Sequence, residues 1–135
     1  MNNIIIKDDI RPRVEELLNL YEDVEWSAYT NDPENLKLAI DSSLKVWTCW
    51  EDNKLVGLAR VVGDGHTIIY IQDILVLKSY QGQGIGSKLI KLILEKYKSV
   101  RQIVLMTDET EKTIKFYKKN GLKKASDYEA ITFIK

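Results

Sequence analysis

Cysteine and histidine each occur once in this chain, as Cys49 and His66. A single cysteine cannot close an intramolecular disulfide, which fits a reducing compartment. One thiol and one imidazole cannot build a zinc cage either. Net charge is absent as well: 20 Lys plus Arg balance 20 Asp plus Glu. A nucleic-acid binder usually carries a basic excess or stripe, and the short clusters Lys118-Lys119 and Lys123-Lys124 read as solvated surface. No run approaches the roughly 20 apolar residues of a membrane span. The stretch from Met1 to Lys7 lacks the basic start and long apolar segment of a signal peptide. These absences predict a cytoplasmic protein without a metal centre, a nucleic-acid partner or a membrane anchor.

The 135 residues, 44% of them hydrophobic and 30% charged, fit one compact domain over 1–135 with a soluble surface. Ile4 to Lys7 is a short apolar run that predicts a first strand. Val14, Leu17, Leu18 and Tyr21 recur at helical spacing, so Pro12 to Glu22 reads as an amphipathic helix with proline near its start. The aromatic stretch from Val24 to Thr30 reads as irregular. Asp32-Pro33-Glu34 then opens a second helix, with Asp32 as cap and Leu36, Ala39 and Ile40 facing inward. Strands are expected at Lys45 to Glu51 and Lys54 to Val62 around the pair Asp52-Asn53, and at Thr67 to Leu77 after the turn Gly63-Asp64-Gly65-His66. A helix from Gly84 to Tyr97, with Ile85, Leu89, Leu92 and Ile93 inward, leads to a strand at Gln102 to Met106. Glu111 to Asn120 is a last helix closed by Gly121, and Ala130 to Ile134 a last strand. The order is α+β: an antiparallel meander, then a strand-helix-strand unit whose crossover requires parallel pairing.

The segment Gln81-Gly82-Gln83-Gly84-Ile85-Gly86 lies between the long strand and an amphipathic helix. Glycines there leave backbone N–H groups unobstructed, and with the helix dipole they suit a pyrophosphate. The same glycines could serve only the backbone angles of a tight turn. A P-loop is excluded, because Gly86 is followed by Ser87-Lys88, the wrong order. A Rossmann fingerprint is a poor fit, since these glycines follow the fourth strand and too little chain remains for a dinucleotide fold, although Asp108 at the next strand's end is a feature it shares.

The run from Asp73 through Gln81-Gly82-Gln83-Gly84-Ile85-Gly86 to Leu89 resembles the central motif of the GNAT superfamily of N-acetyltransferases, whose core is Gln/Arg-x-x-Gly-x-Gly/Ala. Lys115 to Leu122 is similar to the family's Tyr-x-x-x-Gly-Phe block, with Leu122 in place of Phe. Leu55 to Arg60 is similar to its third strand. Val24 to Thr30, with the Asp73-Ile-Leu-Val strand, is similar to a group of small bacterial and plastid acetyltransferases.

The resemblance implies a mixed sheet whose fourth and fifth strands splay around acetyl-coenzyme A. Backbone groups of Leu75 and Val76 would hold the pantetheine arm, with the Val76 N–H on the thioester carbonyl. Amides of Gln83, Gly84, Ile85, Gly86 and Ser87 would hold the pyrophosphate, and Gln81, Gly82, Asp108 and Phe116 are carried to the cofactor by the same likeness. Tyr117 would be the general acid that protonates the departing thiolate, where helical periodicity alone reads it as core packing. Asp73, a charge in an apolar strand, is either the general base or a bonded structural carboxylate. Asp108 is a second base candidate, and Asp108 to Glu111 also has the spacing of a capping box.

The acceptor would be a primary amine of a small molecule or peptide. Trp26, Tyr29, Trp47, Trp50 and Tyr70 are candidate pocket aromatics, and Glu22, Asp23 and Glu25 candidate cation attractors. His66 reads as a solvent-facing turn residue and Cys49 as a small core residue. A catalytically silent coenzyme A-binding module is the rival to the enzyme, and a homodimer stays open.

Overall fold

The computed structural model describes residues 3–135; Met1 and Asn2, part of the N-terminal stretch read above, lie outside it. Strand β1 (Ile4–Lys7) is followed by helices α1 (Val14–Asp23), α2 (Ser27–Thr30) and α3 (Pro33–Asp41). Strands β2 (Lys45–Glu51), β3 (Lys54–Gly63) and β4 (Ile68–Val76) precede helix α4 (Ile85–Lys96), strand β5 (Gln102–Leu105) and helix α5 (Glu111–Lys119). The sheet runs β1-β2-β3-β4-β5, antiparallel throughout except for the parallel pair β4/β5. This is the α+β arrangement that the element order requires. Among the described residues, no helix is long and apolar enough to cross a membrane, and no group of His, Cys, Asp or Glu is placed to hold a metal ion.

Local chemistry sets the helix ends. Asp32 caps α3, its side chain accepting from the Asn35 N–H, with Pro33 at the first position. α1 starts two residues later than expected: Arg13 is its cap, and the Glu16 carboxylate takes the Arg13 N–H at 2.9 Å. Pro12, which has no N–H to give, therefore precedes the helix. The stretch read as irregular contains the short helix α2. On α4 the buried face is Ile85, Leu89, Ile90 and Ile93, while Leu92 is exposed.

β4 carries a bulge. Arg60 pairs with Asp73, but the next residue, Val61, pairs with Ile71, so Gln72 is the extra residue. Because side chains alternate across a strand, the slip places Asp73 and Leu75 on the face opposite Ile69 and Ile71, where uninterrupted alternation would group all four. The parallel pairing with β5 runs from Ile68/Gln102 to Ile71/Leu105 and stops there. Beyond the bulge β4 continues to Val76 with β3 as its partner, and a gap opens on its other side.

The expected last strand does not form. Ala125–Tyr128 make a 3-10 turn and residues 129–135 have no regular structure. Ile131, Thr132, Phe133 and Ile134 have strand-forming character, but a strand has no internal hydrogen bonds and exists only by pairing. None of the five paired strands takes this segment as a neighbour.

Candidate active site

The gap between β4 and β5 is the mouth of a cleft of about 1030 Å³. The Leu77 N–H donates to the Val56 carbonyl at 2.9 Å. Counting back from this bond in an antiparallel pair, the backbone groups of Leu75 point to β3, and those of Ile74 and Val76 point into the cleft. Leu75 therefore lines the cleft with its side chain while Ile74 supplies the free backbone, a correction to the expected pair. The Gln81 side-chain amide donates to the Val76 carbonyl at 3.0 Å, which ties the loop to the strand and leaves the Val76 N–H directed at the cleft.

The glycine segment forms the next wall. Gly82 and Gly84 have φ of 80° and 83°, and a Cβ built on either would meet nothing within 4 Å. The backbone demands glycine there, and the space above it is open. Gly84 caps α4 without a side-chain hydrogen bond, so the first-turn N–H groups of a twelve-residue helix face the cleft with the positive end of its dipole. That is the geometry a pyrophosphate needs.

The third glycine serves a different purpose. A Cβ on Gly86 would lie 3.1 Å from Phe116 Cζ, so α5 rests its aromatic ring directly on the first turn of α4. The Asn120 side-chain amide donates to Ser87 Oγ at 3.3 Å from the other end of α5. Gly121, at φ 90°, closes that helix: its N–H bonds to the Lys118 carbonyl and the Leu122 N–H to the Tyr117 carbonyl. These contacts fix Tyr117 on the cleft wall. Burial, and then the charge of Asp108, push its hydroxyl above the usual tyrosine range.

The sequence profile described as the acetyltransferase (GNAT) family matches residues 11–122. This chain belongs to the GNAT acetyltransferase family. The GNAT family protein SP0256 of Streptococcus pneumoniae TIGR4, an acetyltransferase, is 39% identical and superposes with a TM-score of 0.88 over 98% of this chain and 96% of that one. An uncharacterized ycf52-like N-acetyltransferase of Prochlorococcus marinus is 32% identical over 112 residues, 78% of this chain and 60% of the relative. The chain thus spans three-fifths of the length of that curated relative. At 18% identity and a TM-score of 0.69, over 98% of this chain and 97% of that one, the fold is shared with AAC(6')-Iy, solved with the bisubstrate analog CoA-S-monomethyl-acetylneamine. Acetyl-coenzyme A is the GNAT cofactor, and the open glycine turn and bare helix end fit its phosphates.

Of the residues expected at the GNAT cofactor or in catalysis, all except Gln83 line this one cleft. Asp108 lines it too, but it does not cap α5: Thr110 is the cap, its hydroxyl accepting from the Thr113 N–H. Trp26 and Tyr29 reach the cleft, together with Val24. Trp47 is buried edge-on against Tyr97, and Trp50 is buried with its ring N–H on Thr48 Oγ1; neither these nor Tyr70 line it. Asp23 and Glu25 are held by Lys78, through its backbone N–H and its ammonium respectively. Cys49 is fully buried, and burial pushes its thiol up to about 12, so it is no nucleophile.

Asp73 lies 3% exposed with both oxygens engaged. Oδ2 accepts from Arg60 Nε at 2.6 Å and from the Tyr21 hydroxyl at 2.9 Å, and Oδ1 accepts from the Tyr29 hydroxyl at 2.9 Å. Tyr29 in turn accepts from Gln72 Nε2 at 3.1 Å and Arg60 Nη2 at 3.3 Å. In the sequence, Arg60 is marked only as a strand residue and Tyr21 only as a helix residue. No local spacing marks the network, because the three groups that bond Asp73 lie 13 to 52 residues from it in sequence.

Proposed function

We propose that this protein transfers the acetyl group of acetyl-coenzyme A to a primary amine, by direct attack of the amine in a ternary complex, with Tyr117 as general acid. One observation carries the reading. The parallel pairing ends at Ile71/Leu105, so free strand backbone stands beside a helix start that no cap side chain occupies, and Tyr117 lies on the same cleft.

When bound, the cofactor supplies an acetyl group already activated as a thioester. The chain's own groups do the rest. Ile74 and Val76 extend the sheet onto the pantetheine arm, and the Val76 N–H is a fixed donor for the carbonyl oxygen as it gains charge. The turn at Gly82 and Gly84, the first turn of α4, and Lys112 and Lys119 on the cleft wall hold phosphate. Tyr117 keeps its proton through neutral pH, because its hydroxyl is raised above the usual value of 10.0, and can give it to a departing thiolate. Asp73 acts as an anchor for the bulged strand rather than as the base, since three donors already occupy its oxygens. Val24, Trp26 and Tyr29 give the acceptor end an apolar, aromatic wall, suited to an amine with a hydrophobic body.

Tyr117→Phe tests the assignment by removing only the hydroxyl. Turnover should fall by about two orders of magnitude, the range of a general acid, with cofactor affinity nearly unchanged. Equal rates in the two proteins would remove Tyr117 from the reaction.

A further inference from the structure

The bulge in β4 lets two sequence neighbours share one partner. On an even strand, adjacent side chains point to opposite faces. Here Gln72, the extra residue, and Asp73 both bond the Tyr29 hydroxyl, Gln72 through Nε2 at 3.1 Å and Asp73 through Oδ1 at 2.9 Å. Gln72 is exposed and lines the cleft that Val24, Trp26 and Tyr29 also line.

Chemistry fixes the direction of those bonds. A carboxylate paired with a guanidinium only accepts, and a guanidinium only donates. Tyr29 therefore gives its one proton to Asp73 Oδ1, and its oxygen accepts from Arg60 Nη2 at 3.3 Å. Gln72 has to turn its N–H to Tyr29, because its carbonyl oxygen would meet there an oxygen with no proton to offer. A buried ion pair, Arg60 to Asp73 at 2.6 Å, thus dictates through Tyr29 which end of an exposed amide is free. The free end is Oε1, an uncharged acceptor on the cleft.

We infer that Gln72 sets acceptor specificity: Oε1 takes a hydrogen bond from a second donor group carried at the far end of the amine's body. The inference rests on the acyl-transfer reading above and names the class of amine within it. Position separates this role from the chemical step. With phosphate at Gly82 and Gly84, the cofactor's arm runs back along β4 to Val76. Gln72 stands four residues before Val76, at most about 13 Å of strand. Even with the reach of a glutamine side chain, that is too far for a nitrogen attacking the thioester. It suits the remote end of an amine about one ring long, laid on the Trp26 and Tyr29 wall. Charge narrows the class further. An uncharged oxygen beside an already neutralised Asp73 favours a hydroxyl or a neutral N–H over a second ammonium.

The test compares tyramine with phenethylamine, which differ by one ring hydroxyl, on the full chain with acetyl-coenzyme A. A site that accepts from a donor disfavours the analogue lacking it. The wild type should prefer tyramine in kcat/KM by about fivefold, the worth of one net hydrogen bond. Gln72→Leu removes the acceptor at an exposed position and should bring that ratio to about one, with tyramine losing rate and phenethylamine holding it. Loss of a merely structural contact would slow both amines alike and leave the ratio intact. That result would overturn the inference, as would a wild type that treats the two amines equally. Absence of acetylation with either amine would count against acyl transfer itself, and equilibrium binding of the same pair to the coenzyme A complex then tests Gln72 separately. Tighter binding of tyramine that Gln72→Leu abolishes supports its role, and equal or undetectable binding overturns it.

Discussion

At the residue scale, Asp73 shows how one carboxylate can look like two different things. In sequence it is a charge in an apolar strand, which serves both a base in a cleft and a bonded anchor. The bulge at Gln72 decides the geometry by turning Asp73 onto the face of Arg60, Tyr21 and Tyr29. Asp73→Asn would strip Arg60 of its counter-charge, and breaking a buried pair costs about 3–5 kcal/mol. We expect the melting temperature to fall by roughly 10 °C, with the rate per folded molecule within about twofold. A stable protein that has lost its turnover would make Asp73 the base instead. The same network predicts an alkaline limit to stability. The Tyr21 hydroxyl is raised well above 10.0, first by burial and then by Asp73. The folded state thus keeps a proton that the unfolded chain releases above about pH 10. The stabilisation is full below that pH and is lost as pH rises further. Urea midpoints should decline above pH 10 in the wild type and less steeply in Tyr21→Phe.

At the scale of elements, the loop between β4 and α4 divides its glycines between two tasks. Gly82 and Gly84 supply left-handed backbone in open space, whereas Gly86 makes room for Phe116. Gly84→Glu strains a positive φ and brings a negative charge to the phosphate site. We expect the thermal stabilisation by acetyl-coenzyme A, a mass-action effect, to vanish in this variant while its own melting temperature falls only modestly. Retained stabilisation would locate the phosphates elsewhere. The strands, the glycine turn and the α5 closure at Gly121 were legible because each is written in local spacing: apolar alternation, glycine at positive φ, a capping residue. The bulge, the Arg60 network and the backbone phase that frees Ile74 rather than Leu75 were not. They depend on register between β3 and β4, which no window of one strand contains. The tail misled for a related reason: its strand composition is local, but a strand forms only by pairing, and no strand of the described sheet pairs with it.

At the scale of the whole molecule, the sheet is an instrument for ending a parallel pairing early. β1 to β3 and the helices bury a core that holds β4 rigid on one side, and the bulge lets β4 leave β5 after four pairs. The cleft opens at that departure, and the first turn of α4 and Tyr117 line it. We expect this cleft to turn over acetyl-coenzyme A and not merely to hold it. The most direct measurement is release of free coenzyme A thiol in the presence of a panel of primary amines, including some with aromatic bodies suited to the Trp26 and Tyr29 wall. Thiol release should depend on the amine and be matched one for one by acetylated product. Tight binding of acetyl-coenzyme A with no amine-dependent release across the panel would contradict turnover in this cleft.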